Sequence, residues 1–185
     1  MSLVKFLDNY EAFDEEEKSD VEEFKFFLKN FDKEDWAVRD NTIGHLTASA
    51  WVVNKDRTKV LFAYHNIFDS WAWLGGHADG DFDLLNVATK EAKEESGIKN
   101  IKPVFETPID ISVNAVGSHY KREKYVSSHL HYNSVYLFEA DESDELVVAE
   151  GENSDVAWLH IDELLNKVSE DHIKVIYKRI MKKVA

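Results

Sequence analysis

The chain has 185 residues, is 44% hydrophobic and carries a formal net charge of -14. That length suits one globular domain with a sizeable core, and so acidic a surface repels a phosphate backbone at long range, which argues against general nucleic-acid binding. Cysteine is absent, which excludes disulfides, thiolate nucleophiles and thiolate metal ligands.

Residues 1–14 lack the basic start and long apolar centre of a signal peptide, and no apolar run approaches the roughly 20 residues that span a bilayer. The expected location is the cytoplasm, with no membrane partner. Asp14 followed by Glu15, Glu16 and Glu17 reads as a helix start, because acids suit the positive end of the helix dipole. Val21, Phe24 and Leu28 carry the helix to about Asn30. Residues 1–40 are read as an N-terminal helical extension and 41–185 as one globular unit.

Strands are expected at 46–54 and 59–64, with Asn54, Lys55, Asp56 and Arg57 turning between them. A third short strand at 70–74 runs into Gly75 and Gly76, where the missing Cβ suits a tight turn and a close approach of backbone to a ligand. Residues 84–96 are rich in Leu, Ala, Lys and Glu and are followed by Gly97, a helix with a glycine stop. Extended segments are expected near 101–113, 126–140 and 156–159. Ser169 is expected to cap a last helix with the apolar face Ile173, Ile176, Tyr177 and Ile180. Lys178, Arg179, Lys182 and Lys183 near its end suit the dipole, and it reads as a packing element without chemistry. The order of elements implies an α+β fold, a mixed sheet covered by helices.

The chemistry concentrates in Glu91, Glu94 and Glu95. On a helix, positions three and four apart share a face, so three carboxylates should crowd together. Their repulsion turns favourable around a divalent cation such as Mg²⁺, which takes oxygen ligands; a solvated acidic face is the alternative. Leu85, Ala88 and Ala92 lie opposite and let the helix press against a sheet.

The segment 76–98 resembles the signature of the Nudix hydrolases, G-x5-E-x7-R-E-U-x-E-E-x-G-U, where U is bulky and apolar. Gly76 stands at the opening glycine, Glu91 at the acid after the Arg, Glu94 and Glu95 at the paired acids, and Gly97 and Ile98 at the close. Ala92 is smaller than the U it replaces. Phe82 stands where the family has its first Glu, and Lys90 where it has Arg. Lys90 keeps the charge without the planar fork, and Phe82 is expected to pack inward among apolar groups. Residues 156–164 resemble the family's late strand and helix start.

The resemblance implies a Nudix-like α/β/α sandwich and a hydrolase cleaving the diphosphate of a nucleoside diphosphate linked to another group, or a related small diphosphate. It implies Mg²⁺ (Mn²⁺ as alternative) on Glu91, Glu94 and Glu95, with Gly76, Lys90 and Gly97 in support. Glu91, Glu94 or the loop acid Glu152, with Glu150 as runner-up, would take the proton of the attacking water. A non-catalytic nucleotide-binding module is the alternative. An isoprenoid diphosphate isomerase of related fold would need a cysteine that this chain lacks.

His129 and His131 share a strand face and are candidates, with His77, Lys121 and Arg122, for lining the substrate site. A zinc reading of the two strand histidines needs further ligands. Lys124 extends the basic cluster, for which a solvated hairpin loop is the other reading. Trp71 and Trp73 read as core or as a base-stacking pair. The expected partner is a small, nucleotide-derived phosphorylated substrate, and a homodimer stays open.

Overall fold

The computed structural model describes residues 2–66, 69–121, 123–149 and 153–185, with Lys121 described by its backbone alone. In chain order the elements are α1 (Leu3–Asp8), α2 (Glu15–Asn30), α3 (Lys33–Trp36), β1 (Gly44–Val53), β2 (Lys59–His65), β3 (Ser70–Ala72), β4 (Leu74–His77) and α4 (Leu84–Ser96). There follow β5 (Ile101–Pro103), β6 (Asp110–Val116), β7 (His119–Lys121), β8 (Lys124–Val126), β9 (His129–Ala140), β10 (Asn153–His160), a 3-10 turn (Ile161–Glu163), α5 (Leu164–Lys167) and α6 (Asp171–Val184).

The sheet is mixed, and β1 is its axis. All ten residues of β1 are buried, as expected of a strand covered on both faces. It runs parallel to β9, from Gly44 opposite Leu130 to Val53 opposite Glu139. On its other side β1 is shared. Val52 and Val53 pair with β2, while Thr47 to Ala50 pair with β4. β10 and β3 add to β2, and β5 and β6 add to β9. β7 and β8 pair with each other as a separate hairpin.

Strand alternation sorts the core into two layers. Leu46, Ala48, Ala50 and Val52 of β1 face Phe24 and Phe27 of α2 and Val87, Ala88 and Ala92 of α4. Trp51 and Val53 face Ile176, Tyr177 and Ile180 of α6. Helices on both faces of a mixed sheet are the α+β sandwich that the element order implied.

The segment expected as one strand at 70–74 is two. The chain leaves β2 for β1 at Trp73, whose backbone N–H donates to the Tyr177 hydroxyl at 3.1 Å. Gly75 and Gly76 therefore lie inside β4, opposite Ser49 and Ala48, and the tight turn comes later, where Asp79 and Gly80 take φ of 46° and 93°. Glu170 rather than Ser169 stands at the start of α6; the Ser169 N–H is committed to the Ser70 hydroxyl at 2.9 Å.

Ion pairs tie α2, β6 and α6 together. Asp110 accepts two hydrogen bonds from Arg179, at 2.7 and 3.0 Å. Lys183 reaches Glu17 at 2.6 Å and Asp110 at 2.9 Å. Glu17 also accepts from the Tyr10 hydroxyl and from the Phe13 and Ile111 N–H groups. Three of these side chains, Asp110, Arg179 and Glu17, are buried.

Candidate active site

Helix α4 is placed by its two ends. Asp83 caps it by accepting from the Asn86 N–H at 3.1 Å. Gly97 ends it in the left-handed region, with φ 70°, which glycine adopts without a Cβ penalty. Ala88 and Ala92 are fully buried against the sheet, so the helix axis lies close to β4. Across that short distance the Gly75 N–H donates to Glu95 Oε2 at 2.8 Å, and Asn153 Nδ2 donates to Glu95 Oε1 at 3.2 Å. A Cβ built on Gly76 would stand 2.5 Å from Glu91 Oε2. Gly76 thus makes room for the Glu91 carboxylate and the Gly75 N–H holds Glu95, and neither glycine serves a turn.

Glu91 and Glu95 line a cavity of about 850 Å³. Glu94 stands on the exposed side of α4, outside the cavity wall, with its carboxylate 3.9 Å from Lys90 Nζ. Phe82 is 43% exposed, and Lys33 Nζ lies 4.7 Å from its ring centre. The expectation that Phe82 packs inward is corrected: at the start of α4, Leu84 already fills the core position, and the ring stays on the surface under a cation.

The cavity floor comes from β1, β9 and β4. The parallel register sets His45 opposite His131 and Thr47 opposite Asn133. His77 follows the glycines opposite Thr47. His45, His77, His129 and His131 all line the cavity, as does Lys124 of the hairpin. Burial lowers the pKa of His45. His131 is pushed down to about 2 by burial and by the neighbouring imidazoles of His77, His45 and His129. Both rings are therefore neutral at pH 7. Thr47 and Ser49 donate to Asn133 Oδ1 at 3.0 and 3.1 Å.

Among the described residues, His45 Nε2, Asn114 Oδ1, Asn133 Nδ2 and Asn153 Oδ1 are buried polar atoms of this wall without a hydrogen-bond partner. Each such atom costs about 1–3 kcal/mol, so their gathering at one cavity marks a surface built for a polar ligand.

Of the residues singled out in the sequence, Gly76, His77, Glu91, Glu95, His129 and His131 meet at this cavity, and Lys90, Glu94 and Gly97 do not line it. Glu150, Glu152 and Arg122 lie outside the described residues, as does the Lys121 side chain. Trp73 lines the cavity, and its ring lies 5.0 Å from that of Tyr177. His45, Asn133 and Asn153 were missed. His45 and Asn133 had one signal, polar residues alternating through otherwise apolar strands, His45-Thr47-Ser49 and His131-Asn133; Asn153, at the start of β10, had none.

A family model described as the NUDIX domain matches residues 44–179. No protein of curated function matches the chain. Among solved structures, a Caenorhabditis elegans Ap4A hydrolase binary complex has a TM-score of 0.55 at 13% identity, covering 75% of this chain and 96% of that one. The Escherichia coli dihydroneopterin triphosphate pyrophosphohydrolase has a TM-score of 0.55 at 14% identity, with coverages of 74% and 94%. A NUDIX-family hydrolase from Clostridium perfringens has a TM-score of 0.53 at 22% identity, with coverages of 76% and 98%. At these identities the structural likeness speaks for the fold.

Proposed function

Because the chain belongs to the Nudix family, it is a pyrophosphohydrolase, and we propose that it is a metal-dependent one that cleaves a nucleotide-derived diphosphate in the cavity between α4 and the hairpin. The observation that carries this reading is the convergence of Glu91 and Glu95 on that cavity across a pair of glycines. The acid pair fits the divalent ion the family implies: it offers carboxylate oxygens at the cavity wall, the donor type Mg²⁺ takes, with one or two carboxylates usually sufficing beside waters and substrate phosphates. When bound, such an ion supplies charge neutralisation and a more acidic water.

The chain's own residues do the rest. Gly75 N–H and Asn153 hold the Glu95 carboxylate in one orientation. Asn133 Nδ2, without a partner among the described residues, and Lys124 line the space a phosphate chain would fill, and the buried floor keeps bulk water from its far side. A water oxygen attacks phosphorus in line, the P–O bond to the leaving phosphate breaks, and a carboxylate takes the water's proton. Glu152 is proposed for that role, with Glu91 as the acid on the wall if Glu152 is silent. Ap4A and dihydroneopterin triphosphate, named for two of the fold neighbours, belong to the substrate class proposed.

A screen of nucleotide-derived diphosphates with Mg²⁺ tests the reading. Glu95→Gln should lower turnover on the best substrate by at least about a hundredfold, the scale of one lost transition-state electrostatic contact, with an unchanged circular dichroism spectrum. Wild-type turnover at limiting Mg²⁺ in that variant, or no metal-dependent turnover of any diphosphate by the wild type, would overturn it. Glu94→Gln should cost less than Glu95→Gln, because Glu94 stands off the cavity wall.

A further inference from the structure

We propose that His45, His77 and His131 form a second metal site, distinct from the acid pair and suited to a zinc-class ion. Their ligand nitrogens all lie within 4.8 Å of one another. Four-coordinate zinc with bonds of roughly 2.0–2.1 Å spaces its ligands about 3.3 Å apart, so small side-chain rotations close the set. His45 is held for this role. Its Nδ1 lies 3.4 Å from the Asn41 carbonyl, to which it donates. That leaves the lone pair on Nε2, a buried atom with no hydrogen-bond partner among the described residues. A metal-ligating imidazole is usually fixed in this way, its second nitrogen donating to a carbonyl.

His129 repeats the arrangement next door. Its Nδ1 lies 2.9 Å from the Ser127 carbonyl, and its Nε2 stands 3.2 Å from His131 Nε2. That separation is close to the one between two ligands of a single tetrahedral ion. His129 therefore stands beside His131 at the edge of the triad, on the cavity wall. Two of the three rings, His45 and His131, sit opposite each other on β1 and β9, whose backbones are locked in parallel register, and His77 sits on β4; sites built on strands hold their geometry better than sites on loops.

Donor chemistry separates the two sites. Imidazoles suit zinc, copper, nickel and iron, whereas Mg²⁺ takes oxygen. The chain would then present an oxygen site at Glu91 and Glu95 and a nitrogen site on the floor of the same cavity. Held by the triad, such an ion would supply Lewis-acid polarisation of a phosphate oxygen or a water in that cavity.

The test uses the full chain stripped with EDTA and no substrate. Calorimetric titration with Zn²⁺ should show one equivalent bound, zinc should raise the melting temperature, and Co²⁺ should give visible absorption bands. His131→Ala and His77→Ala should each weaken zinc binding by more than the roughly 10–100-fold lost with an outer-shell partner. Glu91→Gln and Glu95→Gln should leave it unchanged. His77 is only half-buried, so its variant keeps the test decisive should the His131 variant misfold. Failure of the folded wild type to bind zinc overturns the proposal. So does binding that survives both histidine variants or is lost with Glu95→Gln. Because no turnover is measured, these outcomes leave the hydrolase reading untouched, and a failed diphosphate screen leaves the histidine site untouched.

Discussion

Gly75 and Gly76 are neighbours in one strand, yet a methyl group added to each would meet different things. At Gly75 it would stand 2.6 Å from the Ala48 carbonyl oxygen and 2.8 Å from Ser49 Cα, both backbone. At Gly76 it would meet the end of the Glu91 side chain, which can swing aside. Gly75→Ala should therefore destabilise by about 1–3 kcal/mol, the scale of overpacking, as read by urea denaturation. Gly76→Ala should change stability by less than about 1 kcal/mol and lower turnover, because it displaces a carboxylate from the cavity wall. Equal losses of stability would refute this reading of the pair. At this scale the acids were legible: one helix face at three- and four-residue spacing announced Glu91 and Glu95. The histidine floor was not, because His45, His77 and His131 are brought together by strand register, which residue spacing within one segment does not reveal.

Helices were the most legible elements. The start and stop signals of α2 and α4, Asp14 and Gly97, stand where the caps are. The division of β3 from β4 was hidden because it depends on which strand each half pairs with. Helix α6 was read as packing alone, and its Arg179 as a dipole partner; in the fold that guanidinium is buried and holds Asp110 in two hydrogen bonds. Arg179→Ala should cost about 3–5 kcal/mol, since it leaves a buried carboxylate short of its partner, and Arg179→Ala with Asp110→Ala should recover part of that loss in chemical denaturation.

Asp20 of α2 is a carboxyl whose removal should stabilise the fold. Burial pushes its carboxyl up to about 6, above the unfolded value of about 3.9. The folded state then holds more protons than the unfolded one between those values, so this group's contribution falls as pH rises through the window and stays unfavourable above it. Asp20→Asn should raise the melting temperature at pH 7 relative to wild type and bring no such gain at pH 3.5. An equal gain at both pH values would remove the titration from the explanation.

For the molecule as a whole, a net charge of -14 sets a repulsive field against the anionic substrate proposed for it. Raising ionic strength from about 0.01 M to about 0.15 M shortens the screening length from about 30 Å to about 8 Å. At saturating metal, kcat/KM should therefore rise with added KCl. A fall would mean that the local cations at the cavity, Arg39 and Lys124, outweigh the global field. The parallel β1–β9 ladder and the β7–β8 hairpin divide the cavity between two mechanical regimes. Backbone amides of the ladder, mostly buried and paired within the sheet, should belong to the slowest class in hydrogen exchange, opening only with the whole fold. The hairpin shares no ladder with that sheet among the described residues, so its amides should exchange by local opening. Groups that fix an ion thus sit on the part that resists change, while His119, Lys124 and Tyr125 at the rim sit where sequence can vary at little thermodynamic cost. A lineage could retarget such an enzyme to a new leaving group by rewriting the rim and inheriting the floor.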